Sequence, residues 1–129
     1  MAVKVTRVPD LPAVILENVE PFDPMQDTAT NMEETVKVKR ELGRPVYRII
    51  DIRSFNIAFS DMAVAMGAER NREGGAGDPE VTTCFVGSGT LVEIGSKALA
   101  QQDQYGKGNV KLFTSVEQAL EFVRKDVAN

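Results

Sequence analysis

The sequence contains no histidine and no tryptophan, and it has a single cysteine, Cys84. Histidine is the commonest general acid/base and the commonest metal ligand. Its absence excludes Ser-His-Asp and Cys-His catalysis within one chain, and zinc sites of the usual Cys/His kind. One cysteine cannot form an internal disulfide, which makes the cytoplasm the default location. No apolar run approaches the roughly 18 residues that a membrane-spanning helix needs. The opening M-A-V-K-V-T-R-V-P-D lacks the uninterrupted apolar stretch of a signal peptide. Basic charge is not in excess either. Lys and Arg number 15 against 19 Asp and Glu, a net charge of −4, which argues against a nucleic-acid-binding surface. Carboxylate, lysine or tyrosine chemistry survives this filter, so the composition points away from an enzyme without excluding one.

What is present describes a globular chain. The 129 residues are 43% hydrophobic and 26% charged, ordinary values for one domain spanning 1–129. A chain of this size buries about two-thirds of the surface its unfolded form exposes. The most informative segment is P-V-Y-R-I-I-D-I-R-S-F-N-I-A-F-S-D-M, residues 45–62. A nearly continuous apolar strand ends there in an acid and a polar loop, and a helix follows. Buried strands of α/β sheets have this form, and sites in such sheets gather at the strands' carboxyl ends.

Residues 3–8 alternate as a first strand, and Pro9-Asp10 turns the chain into a second strand over 13–16, antiparallel to the first. Asp23-Pro24 reads as an N-cap with proline at the first helical position. Met25, Ala29, Met32 and Val36 form the expected apolar face, opposite Glu33, Glu34, Lys37 and Arg40. Gly43 and Pro45 end that helix and launch the strand over 46–52. Ser60 is expected to cap a helix carrying Met62, Val64, Ala65 and Met66, which runs out near Arg70. Residues 71–80, N-R-E-G-G-A-G-D-P-E, are rich in glycine and charge and are expected to form a mobile surface loop. A strand over 81–86 follows. A capping box at Thr90 and Glu93 precedes Leu91, Ile94, Ala98 and Leu99, and Tyr105-Gly106 ends that helix. A short strand covers 110–113. A capping box at Thr114 and Glu117 opens the terminal helix of Val116, Ala119, Leu120, Val123 and Val127. The order β-β-α-β-α-β-α-β-α predicts an α/β domain with about four helices. Its sheet has four to five strands, mainly parallel, with an N-terminal antiparallel hairpin.

Several positions are candidates for function. Asp51 and Arg53 stand at the carboxyl end of the central strand, where Asp51 either positions a ligand or ties down the loop from Ser54 to Asn56. Asp61 is the one nearby carboxylate available for paired acid/base work with Asp51. Ser60 opens a helix, where a phosphate would meet the positive end of the dipole. Its plainer role is a cap. Gly87, Ser88, Gly89 and Thr90 lie between a strand and a helix, where backbone N–H groups can hold an anion. The dinucleotide pattern fails because Val92 occupies its third glycine position, and no Gly-Lys-Ser/Thr follows for a phosphate-binding loop. No cofactor or metal is implied. Cys84, inside a strand, reads as a small buried apolar residue.

The acid-ended strand I-I-D-I-R-S, the F-S-D-M helix opening and the closing V-K-L-F-T-S-V-E-Q-A-L-E-F-V resemble uncharacterised bacterial proteins of the SpoIIAA-like or STAS-like group. These are relatives of the anti-sigma-factor antagonists. The resemblance is best from Pro45 onward; the first 44 residues match only in element order. It implies a single STAS-like domain acting as a non-enzymatic regulatory or protein-interaction module with an unknown protein partner; a homodimer is expected separately, because a short sheet edge and amphipathic helices leave apolar surface for self-association to cover. In the antagonists an Asp-Ser-Ser/Thr-Gly turn follows the comparable strand and carries the phosphorylated residue. Here Phe59-Ser60-Asp61-Met62 stands in its place; Ser60 alone carries over, and the glycine is missing. The regulatory or docking candidates are thus Asp51, Arg53, Ser54, Ser60 and Asp61. The alternative is a domain that binds a small anionic or apolar molecule at the carboxyl end of the sheet. A polar, exposed surface over 54–66 would favour docking, and a deep apolar cavity there would favour ligand binding.

Overall fold

The computed structural model of the protein describes residues 3–101 and 109–129, the side chains of 99–101 excepted. The strands are β1 (Val3–Arg7), β2 (Ala13–Asn18), β3 (Val46–Asp51), β4 (Val81–Val86) and β5 (Val110–Phe113). The helices are α1 (Pro24–Leu42), α2 (Phe59–Glu69), α3 (Thr90–Gln101) and α4 (Val116–Ala128). They follow the expected order. The sheet runs β1-β2-β3-β4-β5, with β1 antiparallel to β2 and every other neighbouring pair parallel. Crossovers of one hand that step steadily across a sheet put their helices on one face. Val38 of α1 accordingly joins Val14, Leu16, Val46, Ile50 and Val81 in one core layer. On the other face, Ala119 and Val123 of α4 pack with Ala13, Ile49, Cys84 and Val86.

Local signals explain most of the boundaries. Asp23 caps α1 by accepting from the N–H groups of Met25 and Gln26 at 3.1 and 3.0 Å. Gly43 ends it at φ +62°, a left-handed conformation that glycine adopts without cost. The capping expectations for α3 and α4 need correction. The terminal helix is capped one residue later than Thr114: Ser115 Oγ accepts from Gln118 N at 3.1 Å, and the Gln118 side chain accepts from Thr114 N and Oγ1. Thr90 is not a cap but the first helical residue of α3, preceded by Gly89 at φ +104°. The expected stop at Tyr105-Gly106 lies outside the described residues, as does the side chain of Leu99.

Two helices are also rotated relative to the expected faces. Met25 is exposed, and the buried stripe of α1 is Asp27, Thr28, Asn31, Met32, Thr35 and Val38. On α3, Ile94 is exposed while Gly95 and Ser96 are buried. Apolar periodicity misplaces a face wherever the buried contacts are small or polar, and both rotations turn such residues inward.

The stretch 71–80 is the largest departure. It packs, because its glycines let backbone approach backbone. A Cβ on Gly74, whose φ is +84°, would stand 2.6 Å from the Met32 carbonyl oxygen, and Ala76 is wholly buried. The charges are organised as well. Asp78 accepts from Gly74 N, Glu80 N and Lys39 Nζ, each at 2.9 Å, and Lys39 and Arg40 both reach Glu73. Burial works to raise the Asp78 pKa, but its bond from Gly74 N, the Lys39 ammonium and Glu80 N outweigh that and hold it below the ordinary carboxylate value.

Candidate functional site: an apolar cleft at the carboxyl end of the sheet

The parallel strands β2, β3 and β4 end side by side, and their last residues on the three-helix face are Asn18, Ile50 and Phe85. Helices α1, α2 and α3 stand over these ends and leave a cleft between them. Ile52, Ile57, Met62, Met66 and Val92 supply most of its apolar lining, and its cavity volume is about 70 Å³. Phe22 borders it and stacks on Phe55, ring centroids 5.0 Å apart, so the link before α1 touches the loop before α2. Gly95 brings α3 against α2 here: a Cβ on it would lie 2.8 Å from Met62 Sδ. Two methionines in the wall leave the cleft adaptable, since the unbranched thioether chain repacks at low cost.

Polar groups in the cleft fall into two sets. The first set is internally satisfied. Asn18 and Asn31 exchange amide hydrogen bonds in both directions at 3.2 Å, and Asn18 Nδ2 also donates to Leu16 O. Glu69, at the end of α2, accepts from Ala76 N at 2.7 Å and from both terminal nitrogens of Arg48. Arg48 lies in the middle of β3 with no exposed surface, and its Nε donates to Thr83 Oγ1 at 2.8 Å. The pair is therefore charge-neutral within the core. The second set is open. The hydroxyls of Thr28 (3% exposed) and Ser96 (9% exposed) line the cleft and have no hydrogen-bond partner among the described residues. The described polar atoms with no accessible surface are all paired, so each of these two unpaired hydroxyls keeps some accessible surface, and both residues line the cleft.

Met62 and Met66, expected on one apolar helical face, line this cleft, whereas the polar and glycine candidates from the sequence are distributed around it. Asp51 is buried on the α4 face, and its carboxylate is occupied by Arg53: it accepts from Arg53 N at 3.1 Å and from Nε and Nη2 at 2.9 Å. It ties down its own loop. Ser54 donates from Oγ to Asn18 O at 3.1 Å, fastening the same loop to β2. Asp61 borders a separate shallow depression with Glu20, Pro21 and Asn56, and Asp51 is not part of that lining. Ser60 is not an N-cap: α2 begins at Phe59, its cap position is Ala58, and no side chain caps it. Ser60 is exposed one residue inside the helix. Arg53, Asn56, Ser88, Gly89 and Thr90 do come together along an open groove outside the apolar cleft. Gly87 N–H is spent on Phe113 O at 3.0 Å, which removes it from any anion site. Cys84 is fully buried in the sheet, and burial, reinforced by the nearby Asp126 carboxylate, pushes its thiol up to about 12, unsuited to nucleophilic work.

No protein-family model matches the chain, and no curated protein matches it. The functional reading therefore stands on the site. Sequence reasoning missed Asn18, Thr28, Asn31, Glu69 and Ser96. A usable signal was present in Thr28, Asn31 and Thr35, which recur at steps of three and four along one helical stripe. Among the described residues no group of three Cys, Asp or Glu is gathered as a metal site. No helix of the described residues is long and apolar enough to cross a membrane.

Proposed function

We propose that this chain is a non-enzymatic binding domain, STAS-like in its α/β architecture, that holds a small, largely apolar molecule in the cleft beneath α1, α2 and α3. The observation that supports this reading is the cleft itself. It lies at the carboxyl end of parallel strands, is walled mainly by apolar side chains and is bordered by the segment 57–66. Xenon is a suitable general probe because it enters apolar cavities without needing a hydrogen bond. Xenon dissolved with methyl-labelled protein is expected to shift the Met62 and Met66 methyl resonances. Ala65→Leu, which puts bulk into the cleft wall, is expected to abolish the shifts. Unchanged methyl resonances in the wild type would refute the reading.

A second reading is protein docking through the same segment, and one observation favours it. Phe59 is 68% exposed at the start of α2, next to the exposed Ser60. A phenylalanine presented this way is an anchor of the kind that interfaces bury. In this reading the partner is a second copy or another protein, and phosphate on Ser60 regulates the contact by charge. Phe59→Ser would then shift the self-association seen by light scattering, or the capture of a partner, and leave the xenon response intact.

A further inference from the structure

We infer that the cleft selects an uncharged small molecule with one hydroxyl or carbonyl head on a short apolar body, and that Thr28 and Ser96 read that head. The inference rests on the cleft-binding reading above. It deepens that reading by excluding the anionic ligand that the sequence left open.

Among the described lining residues Glu69 is the one ionic side chain, and it is already matched by Arg48. A carboxylate or phosphate entering the cleft would meet Glu69 with no free cation to receive it. An ammonium would compete with Arg48 for a carboxylate already engaged by that guanidinium and Ala76 N. Either ion would lose its hydration in an apolar cleft without a compensating partner, a cost that strongly disfavours charged occupants. Hydrogen bonding selects the head group. The Asn18–Asn31 amides are turned on each other, so among the described lining residues the hydroxyls of Thr28 on α1 and Ser96 on α3 are the open polar groups. Each hydroxyl donates one bond and accepts others, a match for an alcohol oxygen or a carbonyl oxygen. Size sets the body. A water needs roughly 10–15 Å³ of such volume. A cavity of about 70 Å³ thus accepts a handful of heavy atoms before Met62 and Met66 must move.

The test is a methyl NMR titration of the full chain with three probes of one length: 1-butanol, butyrate and butylammonium. 1-Butanol is expected to give saturable shifts at Met62, Met66 and Ile57. Both ions are expected to bind at least about tenfold more weakly, the equivalent of ~1.4 kcal/mol. Thr28→Val and Ser96→Ala are expected to weaken 1-butanol about two- to tenfold each, the range of one net hydrogen bond. Both variants should leave the xenon shifts unchanged. If butyrate or butylammonium binds as well as 1-butanol, or if neither hydroxyl variant alters 1-butanol affinity, the neutral-head inference falls while the cleft reading stands. If neither xenon nor 1-butanol enters, both fall together.

Discussion

The Arg48–Glu69 pair allows the most quantitative test of this fold. Arg48 is fully buried in the central strand, and three of its nitrogens donate to Glu69 and Thr83. Arg48→Met leaves the Glu69 carboxylate buried with Ala76 N as its remaining partner. Breaking one side of a buried pair costs about 3–5 kcal/mol, because the surviving charge is uncompensated. Glu69→Met strands the guanidinium and should cost a similar amount. A domain this size has a total stability of roughly 6–19 kcal/mol, so either change removes a large share. The double variant Arg48→Met with Glu69→Met strands no charge. Its losses are the Arg48–Thr83 bond and the partner of Ala76 N, together about 2–4 kcal/mol, offset by packing of two methionines. It is therefore expected to be more stable than either single variant. Urea unfolding followed by circular dichroism, with m-values compared, measures all three. Costs that simply add in the double variant would refute the assignment of a coupled, desolvated pair.

Gly74→Ala is expected to destabilise by about 2–4 kcal/mol, combining left-handed strain with the approach to the Met32 carbonyl, and the same urea titration checks it. Asp78 supplies a pH dependence. Its folded pKa is lowered, so its contribution is present above the unfolded value of about 3.9 and is lost as pH falls through the folded one. The stability difference between wild type and Asp78→Asn should shrink steadily below about pH 4, and a difference that stays constant with acid would contradict the proposed network.

Elements with a regular apolar pattern were legible from the sequence. β3, β4 and α4 have the expected composition, and the Asp23 and Gly43 caps sit where the residue types place them. The rotated faces of α1 and α3 were not legible, for a physical reason. Hydrophobic periodicity assumes that burial goes with apolar side chains, yet these helices turn Thr28, Asn31, Gly95 and Ser96 inward. Both helices line the cleft. Arg48 shows the same limit. A basic residue in a strand reads as solvent-facing until Glu69, 21 positions later, is folded against it.

By itself the sequence determined the class of fold, the order of elements and the antiparallel hairpin. Those follow from short-range rules: strand alternation, turn residues, proline and glycine positions. Tertiary structure alone decided the strand order, the packing of 71–80 and the contents of the cleft. Each depends on which residues distant in the chain share a surface. A glycine is a hinge or a close-packing point according to what lies against it. Gly74 packs because the Met32 carbonyl of α1 lies where its side chain would have been.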